Sequence, residues 1–558
     1  MGITNIYISG SKDVVAFLPY MPSTMSSNEK RGEAVDLSHH LSKVGQARQT
    51  SPLKGLHKYM GKPGLISLAG GLPNAAYFPF SSVSGDILVP DSFPLETDSK
   101  ESSLSWFWRL FSRTDKERTS TFTVGKYSKH PGDLDLENGL QYGLATGQPK
   151  LNEIIREFVG KVFQPGYSNW TTLVHTGNTD AWFKTVQTIL NPGDGLIVSE
   201  WTYPSAMAGA QPFGIIPVPV GMDSEGMSSI SLRQTLSEWD ESARGIPRPH
   251  VLYTVPIGQN PTGTTMGIRR KKEIYDICVE YDIIIVEDDP YYFLQQGKYI
   301  PKSDRVVDSA TDDEAFIASL APSYLKIDYQ GRVIRLDTFS KTVCPGSRLG
   351  WFTCNPMFAE RLERTAETSS QAPSGFTQIY VASLLLKWQY EGYLRWLKAL
   401  RLQYKQRRDY FLDCFADEFH LQKKFSTEGY TAGTHLYHAS LKPRRSFVPL
   451  SEKDNAYSKP LFSFVPPSSG MFLWIELHLE EHPAFSSLGY KALEMKLWTE
   501  IAEAGVLFAP GAMFFATPVE DDTLGHGHFR ISFSNSTPED LKKAVSTFST
   551  VLGKFMKN

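Results

Sequence analysis

The stretch from Arg335 to Trp351 holds the residues with the clearest capacity for chemistry. It reads R-L-D-T-F-S-K-T-V-C-P-G-S-R-L-G-W, so Lys341 follows a hydroxyl-rich turn after a short β-prone run, and Arg348 lies seven residues further on. Hydroxyls and a guanidinium can hold a phosphate. A desolvated lysine beside another cation loses its proton more easily and can form a Schiff base with an aldehyde. Taken alone, such a lysine is more often an ordinary surface residue at a strand end, so other residues must decide.

Polar clusters follow several predicted strands. Short apolar runs alternate with helical patterns from about 135 to 355, which predicts a doubly wound α/β fold with a mainly parallel sheet. In such sheets ligands bind beyond the carboxyl ends of the strands. Because the clusters 177–179, 260–263, 288–291 and 338–341 each follow a strand, we expect them to form one pocket. The predicted strands are Thr172–His175, Leu196–Val198, Ile215–Val220, His250–Val255, Ile283–Glu287 and Arg332–Leu336.

A lysine, a phosphate cradle and a carboxylate buried at a strand end match the needs of pyridoxal phosphate. This cofactor is an electron sink only while its ring nitrogen stays protonated, which requires a carboxylate partner in a low dielectric. Asp288 ends the most apolar strand and is the predicted partner. Asn260 and Tyr291 are suited to donate hydrogen bonds to the phenolate oxygen. The predicted phosphate ligands are Gly177, Asn178 and Thr179 at a helix N-terminus, with Thr338 and Arg348.

Composition bounds the class of protein. The chain has 558 residues and a formal net charge of -3, which gives no overall attraction to nucleic acid or to an anionic membrane. Four scattered cysteines are too few for a disulfide framework or a zinc site, so we expect no metal and a reducing compartment. Cys344 is expected to be a buried thiol. Without a signal peptide or an apolar run of transmembrane length, the chain is expected to be soluble and cytoplasmic.

The predicted domain organisation has three parts. A polar arm covers residues 1–45, a cofactor-binding large domain covers 135–384, and a smaller α+β domain combines 46–134 with 385–558. Within the small domain, the stretch Ile66 to Asn74 is expected to be a strand that runs into a Gly-Gly turn, and residues 81 to about 130 are expected to form a less regular surface excursion. A polar insertion is expected from Leu441 to Pro460.

The order of the motifs resembles a known enzyme family. Gly-Asn-Thr, Asn-Pro-Thr-Gly, Glu-Asp-Asp-Pro-Tyr-Tyr and Phe-Ser-Lys, with an arginine seven residues on, are similar to the fold-type I aminotransferases of class I/II. The segments 67–74, 78–80 and 140–142 resemble the fungal aromatic amino acid and 2-aminoadipate aminotransferases, and their mammalian kynurenine/aminoadipate relatives. The resemblance spans about residues 45 to 550. Asn178-Thr179 departs from the Ser-Gln of the mammalian relatives, which leaves open the side chain that contacts phosphate.

The resemblance implies roles for further residues. Lys341 would bind pyridoxal phosphate covalently and then move a proton between the substrate α-carbon and the cofactor. Tyr203 would stack on the cofactor ring, and Arg530 would grip the substrate α-carboxylate. Tyr142 would reach the cofactor phosphate of a neighbouring subunit, which implies a homodimer. The remaining substrate contacts implied are Gly71 and Arg48.

The function expected from these residues and the resemblance is ping-pong amino-group transfer. An aromatic or 2-aminoadipate-like L-amino acid would give its amino group to a 2-oxo acid such as 2-oxoglutarate. A pyridoxal-phosphate enzyme of another reaction type, such as a decarboxylase or lyase of a secondary pathway, would share Lys341 and Asp288 and stays open. A transcription regulator would need a winged helix-turn-helix ahead of the domain, and the first 45 residues are too short for one. The expected partners are small-molecule substrates, without nucleic acid or membrane.

Overall fold

The computed structural model describes residues 31–50, 64, 68–69, 71–96, 117–130, 132–306, 312–442, 459–517 and 527–557. Most of the predicted arm lies outside these residues, as does most of the polar insertion at 441–460. The strand and Gly-Gly turn expected within Ile66 to Asn74 also fall partly outside them.

The strands of the described residues are numbered in chain order. They are β1 (Ser82–Leu88), β2 (Thr119–Gly125), β3 (Thr171–His175), β4 (Gly195–Ser199), β5 (Ile216–Val220), β6 (Met222–Asp223), β7 (Gly226–Met227), β8 (Val251–Thr254), β9 (Ile284–Asp288), β10 (Val333–Thr338), β11 (Gly350–Cys354), β12 (Phe419–Phe425), β13 (His435–Leu441), β14 (Phe462–Phe464), β15 (Phe472–Leu477), β16 (Ala509–Pro510) and β17 (Gly527–Ser532).

The α-helices are α1 (Lys43–Ala47), α2 (Leu136–Gly139), α3 (Pro149–Val162), α4 (Asn178–Ile189), α5 (Pro204–Ala210), α6 (Ser229–Ser237), α7 (Glu241–Arg244), α8 (Ile268–Glu280), α9 (Asp313–Ala318), α10 (Pro356–Glu367), α11 (Gly375–Glu418), α12 (Phe485–Glu503) and α13 (Pro538–Phe555). Short 3-10 helices cover Ser38–His40, Ala75–Tyr77, Gln211–Phe213, Lys302–Asp304, Tyr324–Lys326, Phe339–Lys341, Pro345–Ser347, Gly429–Thr431, Leu479–Glu481 and Gly511–Phe514. Among the described helices, none combines the length and apolar character needed to cross a bilayer.

The large sheet confirms the predicted fold class. Its strand order is β3-β11-β10-β9-β8-β4-β5, and its strands run parallel except for β11, which pairs antiparallel with β3 and β10. Every residue of β9 is buried, which explains the unbroken apolar run Ile283 to Val286 in the sequence. Helices α3, α8 and α11 cover one face, while α4, α5 and α10 cover the other, so the sheet is doubly wound.

A second, antiparallel sheet has the order β12-β13-β14-β15-β17-β16. Its core is formed with α12, α13 and the last part of α11, around a cluster that includes Phe415, Phe462 and Phe548. Thr537 caps α13 because its side-chain oxygen accepts the backbone N–H of Asp540. Helix α11 contributes to the cores of both sheets and therefore connects them.

Two expectations were wrong. The described residues 82–88 and 119–125 are regular, because β1 and β2 form an antiparallel pair in which Ser82 faces Gly125. The alternate buried residues Phe122 and Val124 of β2 pack against Ile379 of α11. The polar residues between the two strands obscured this alternation in the sequence. Cys344, expected to be a buried thiol, is exposed because it lies in the turn between Lys341 and the 3-10 helix Pro345–Ser347.

Candidate active site

A cavity of about 400 Å³ lies beyond the carboxyl ends of β8, β9 and β10, where the sheet topology predicts a ligand. It brings together ten of the residues selected from the sequence: Asn178, Thr179, Tyr203, Asn260, Asp288, Tyr291, Thr338, Lys341, Arg348 and Arg530. Further lining residues include Trp182, Ser205, Tyr253, Val255, Ser340 and Phe472.

Asp288, the last residue of β9, is held in place by two donors. Its Oδ2 accepts a hydrogen bond from the Tyr253 hydroxyl at 2.7 Å, and its Oδ1 accepts one from the Asn178 amide nitrogen at 2.6 Å. The same amide nitrogen also donates to the carbonyl of Leu336, the partner of Asp288 across β9 and β10. Burial raises the pKa of Asp288, and the two donors and the charge of Arg335 act against that rise. The result is an oriented carboxylate in a low dielectric.

Lys341 ends a short 3-10 turn that follows β10 directly. Thr338 caps this turn, since its hydroxyl accepts the backbone N–H of Ser340 at 3.2 Å. Burial of Lys341, and then the positive charge of Arg348, lower the pKa of its amine. A lysine in this position is closer to its neutral, nucleophilic form than a solvated lysine.

An anion cradle lies beside the lysine. Gly177 caps α4 with a φ of 99°, and a Cβ at this position would collide with the guanidinium of Arg348. Its backbone N–H donates to Nδ1 of His175 at 3.1 Å, and burial lowers the pKa of His175 to about 3, so this imidazole stays neutral. Arg348 donates weakly to the Ser340 hydroxyl at 3.4 Å and to the Pro345 carbonyl at 3.2 Å. A guanidinium, two hydroxyls and the N-terminus of α4 therefore lie around one space, although the N–H of Gly177 itself is directed to His175.

Arg530 reaches the cavity from β17 of the antiparallel sheet. Its Nη1 donates to Oδ1 of Asn260 at 2.7 Å. The guanidinium lies 4.5 Å from the ring centre of Phe472 and 4.8 Å from that of Phe514. Burial lowers the pKa of Arg530, which nevertheless remains a cation at neutral pH, and Nε is buried without a hydrogen-bond partner. The side chain is thus rigidly placed and retains donors for a carboxylate.

Two tyrosines occupy the space between these groups. Tyr203 precedes α5 and is partly buried, while Tyr291 is buried and packs edge-to-face on Phe472 with 5.8 Å between ring centres. Burial, together with the charge of Asp288, raises the pKa of Tyr291. Its hydroxyl therefore remains a hydrogen-bond donor at neutral pH.

Sequence reasoning missed Tyr253 as a functional candidate. Tyr253 lies on β8 with its hydroxyl on Asp288 and its ring packed on Trp182, with 4.6 Å between ring centres. Strand alternation would have placed it on the same face of the sheet as Val251 and Val255, but a tyrosine in an apolar strand carries no signal of its own. Only the pairing of β8 with β9 brings its hydroxyl to the carboxylate.

Four predicted residues are not among those that line the cavity of this single chain: Gly177, which lies against Arg348 beside it, and Arg48, Tyr142 and Gly71. Arg48 donates to the Thr368 hydroxyl at 2.6 Å and to the Gln187 side-chain oxygen at 3.3 Å. The side chain of Tyr142 is 61% exposed, and Gly71 is exposed as well. Their substrate and cofactor contacts therefore stay predictions, and a second subunit would be needed for the contact expected of Tyr142.

Comparisons with known proteins agree with this geometry. Residues 122–438 match the family model described as aminotransferase class I and II. The chain is 35% identical over 520 residues to an aromatic amino acid aminotransferase of Schizosaccharomyces pombe, covering 93% of this chain and 98% of the relative. It is 33% identical over 508 residues to an L-tyrosine:2-oxoglutarate aminotransferase of Serpula lacrymans, covering 89% and 86%. A crystal structure of an aminotransferase from Candida albicans superposes with a TM-score of 0.78 at 33% identity, covering 95% of this chain and all of that one.

Proposed function

The chain belongs to the class I and II aminotransferases and is a transaminase, and from this premise we propose that it binds pyridoxal 5′-phosphate in the cavity described above. The amino donor would be an aromatic or 2-aminoadipate-like L-amino acid, and the acceptor a 2-oxo acid such as 2-oxoglutarate. The observation that carries the proposal is that Lys341, Asp288 and Arg348 line the same cavity. The relatives named for aromatic amino acids, and for tyrosine with 2-oxoglutarate, support the substrate class.

The residues of the cavity fit the cofactor. An oriented carboxylate at Asp288 suits a protonated ring nitrogen, and the cradle of Gly177 and Arg348 suits a phosphate. Asn178 Oδ1 is buried without a hydrogen-bond partner, so the site contains an acceptor whose partner a ligand could supply. No residue of the set contradicts the fit.

Each part of the cofactor has a proposed holder. Asp288 would hold the ring nitrogen, and Tyr291 with Asn260 would donate to the phenolate oxygen. Tyr203 would lie against the ring, and Lys341 would bind the aldehyde carbon. The phosphate would be held by Arg348, Thr338, Ser340 and the first turn of α4 with Gly177, Asn178 and Thr179. When bound, pyridoxal phosphate supplies a conjugated electron sink for the charge that develops at the substrate α-carbon.

The chain's own residues would bind the substrate and move the proton. Arg530 would bind the α-carboxylate with a guanidinium that Asn260, Phe472 and Phe514 already fix in place. Lys341, with its lowered pKa, would accept a proton from the substrate α-carbon as a free amine and pass it to the cofactor; in the half-reaction that aminates the 2-oxo acid, its amine would move a proton in the opposite direction. One set of residues thus serves donor and acceptor in turn, as a ping-pong mechanism requires.

We also propose the wider setting predicted from the sequence. The enzyme would act as a cytoplasmic homodimer in which Tyr142 reaches the cofactor phosphate of the neighbouring subunit, and Gly71 and Arg48 contact the substrate. A division into the arm 1–45, the large domain 135–384, and the small domain 46–134 with 385–558 is part of the same proposal.

The visible absorption spectrum of the purified protein tests the substrate class. We expect an absorption band of bound cofactor that bleaches when L-tyrosine, L-phenylalanine or L-aminoadipate is added, and returns with 2-oxoglutarate. The relative bleaching rates would rank the donors. A cofactor band that persists with every donor would contradict amino transfer from these substrates and favour another pyridoxal-phosphate reaction.

Replacing Lys341 tests the role of the lysine. Lys341→Ala should abolish turnover and lower the affinity for pyridoxal phosphate, because it removes the amine that binds the cofactor and moves the proton. Lys326→Ala, at an exposed position outside the cavity, is the control and should retain normal activity. Transamination at the normal rate in Lys341→Ala, with an unchanged circular dichroism spectrum, would show that the assignment is wrong.

A further inference from the structure

A cluster of histidines and carboxylates lies at the edge of the large sheet opposite the active site. His39 and His40 belong to the 3-10 helix Ser38–His40 near the start of the described chain. Asp282, His250 and Asp194 lie close before β9, β8 and β4, at the amino ends of these parallel strands. The catalytic cavity lies beyond the carboxyl ends, so this cluster is separate from it.

Asp282 is the centre of the cluster. Its Oδ2 lies 2.7 Å from Nε2 of His39, and its Oδ1 lies 3.1 Å from Nε2 of His40 and 2.7 Å from Nη1 of Arg332. One nitrogen from each histidine and a carboxylate oxygen of Asp282 all lie within 4.8 Å of one another. Tetrahedral zinc, with bonds of about 2.0–2.2 Å, places its ligand atoms about 3.3 Å apart. Because these atoms are up to 4.8 Å apart, the most separated pair must approach by up to about 1.5 Å to surround such an ion, a change that side-chain rotation can supply.

A chain of imidazole contacts continues behind His40. Its Nδ1 lies 3.2 Å from Nδ1 of His250, and Nε2 of His250 lies 3.3 Å from Oδ2 of Asp194. The two imidazoles make three contacts, to Asp282, to each other and to Asp194, and each contact needs one N–H because carboxylates only accept. Two neutral imidazoles carry two N–H groups. Without a further cation, one of the three contacts lacks its donor.

We propose that His39, His40 and Asp282 form a binding site for a zinc-like divalent transition metal, with solvent as the fourth ligand. An ion bound to Nε2 of His40 removes the need for a proton there. The N–H on Nδ1 of His40 then donates to His250, whose own Nε2–H donates to Asp194, so every contact is satisfied. In protein zinc sites the second ring N–H of a histidine ligand is usually held by an acceptor, and here that acceptor would be His250, which is itself held by Asp194.

The surroundings suit ion entry and a structural role. The side chains of His39 and Asp282 are 58% and 48% exposed, so an ion and its water can reach them, while His40 is buried. Arg332 occupies one oxygen of Asp282 and leaves the other for the metal. The ligands join the N-terminal segment to a turn of the large sheet about 240 residues away in sequence. The ion would thus fasten that segment without taking part in amino transfer, and the expectation of no metal, which rested on cysteine count, did not consider this set.

Calorimetric titration of zinc into chelator-treated, cofactor-loaded enzyme tests the site. We expect one ion per chain in the wild type, and at least tenfold weaker binding in His39→Ala and in Asp282→Asn. His420→Ala removes an exposed histidine of β12 outside the cluster and should bind zinc like the wild type. Absence of stoichiometric binding in the wild type, or equal binding in all variants, would overturn the proposal.

Limited digestion with trypsin provides the second measurement. Zinc should slow cleavage after Lys43 and Arg48 in the wild type but not in His39→Ala, because the bound ion would add its ligand bonds to the hydrogen bonds that already hold this segment. The alternative to a metal ion is one additional proton on the His40 and His250 pair, which would supply the missing N–H donor. In that case cleavage would depend on pH and not on zinc, which would overturn the proposal. The rate of amino transfer at saturating substrate should be equal in the wild type and in His39→Ala. The metal site and the proposed function are therefore tested independently.

Discussion

Tyr253→Phe isolates one hydrogen bond to the carboxylate that we propose for the cofactor ring nitrogen. The substitution removes the hydroxyl that donates to Oδ2 of Asp288 at 2.7 Å and keeps the ring that packs on Trp182. Asp288 then retains one side-chain donor, the amide of Asn178. The perturbation therefore changes the electrostatics of a single buried carboxylate with little change in packing.

The expected magnitude follows from the charge of the acceptor. A hydrogen bond to an ionised group contributes about 1.5–3 kcal/mol, and one pKa unit corresponds to about 1.4 kcal/mol, so losing the bond raises the pKa of Asp288 by about 1–2 units. The direction is fixed because the hydroxyl stabilises the charged form, which opposes the rise already caused by burial. Amino transfer needs the carboxylate, so activity would be lost on the acid side at a higher pH than in the wild type.

The assay is the pH dependence of kcat/KM with one amino donor. The midpoint of the acidic limb should move up by about 1–2 pH units in Tyr253→Phe, while the alkaline limb stays in place. Tyr275→Phe is the matched control, since its hydroxyl donates to the buried carboxylate of Asp328 at 2.9 Å, outside the cavity. It should cost similar stability and leave the acidic limb unmoved. Identical acidic limbs in Tyr253→Phe and the wild type would refute the reasoning.

Three further substitutions probe the cradle, the substrate anchor and the charges beneath them. Gly177→Ala should weaken pyridoxal phosphate binding at least tenfold in an equilibrium titration, because its Cβ would displace Arg348. Gly193→Ala is the control, because Gly193 has a similar φ of 91° but no atom within 4 Å of an added Cβ, and it should leave cofactor affinity unchanged. An equal loss of affinity in both variants would indicate that backbone strain is the cause. Arg530→Lys should lower kcat/KM about 10- to 100-fold, mainly through KM and with an unchanged cofactor spectrum, since about 1.5–3 kcal/mol of charged hydrogen bonding is lost. Arg335→Met should lower the free energy of unfolding in urea by about 3–5 kcal/mol, because it leaves buried carboxylates unpaired, and a smaller loss would show that they are protonated.

The sequence was sufficient to predict most of the large sheet and the position of the polar motifs around one cavity. Short apolar runs predicted six of the seven strands of the large sheet to within a residue or two, since strands buried on both faces need continuous apolar residues, but β11 was not predicted. The rule that ligands bind at the carboxyl ends of such strands then predicted one pocket, and the cavity contains Asn260, Asp288 and Lys341 as expected. These features depend on local pattern and on a general property of parallel sheets.

Features that depend on distant pairing could not be predicted in the same way. Tyr253 resembles any aromatic residue of a buried strand until β8 is paired with β9. The antiparallel pair β1 and β2 encloses a long polar stretch, so its alternation was hidden. His39 and His40 could not be recognised as possible metal ligands from the sequence, because the third ligand, Asp282, lies on a turn about 240 residues away.

The run Glu287-Asp288-Asp289 shows how strand geometry gives consecutive acids different tasks. Side chains of a strand alternate between its faces, so Asp288 turns to the cavity while Glu287 and Asp289 turn to Arg335 on the other face. Although burial alone would raise the pKa of Glu287, the charges of Arg335 and Lys271 outweigh it and lower that pKa. For Asp289 burial dominates and raises the pKa to about 7. Arg335 thus connects β9 and β10 on the face of the sheet away from the cavity. Because this cation fixes both neighbours of Asp288, the backbone at Asp288 is held in place, and its carboxylate can keep an orientation that an isolated carboxylate at a strand end could not keep.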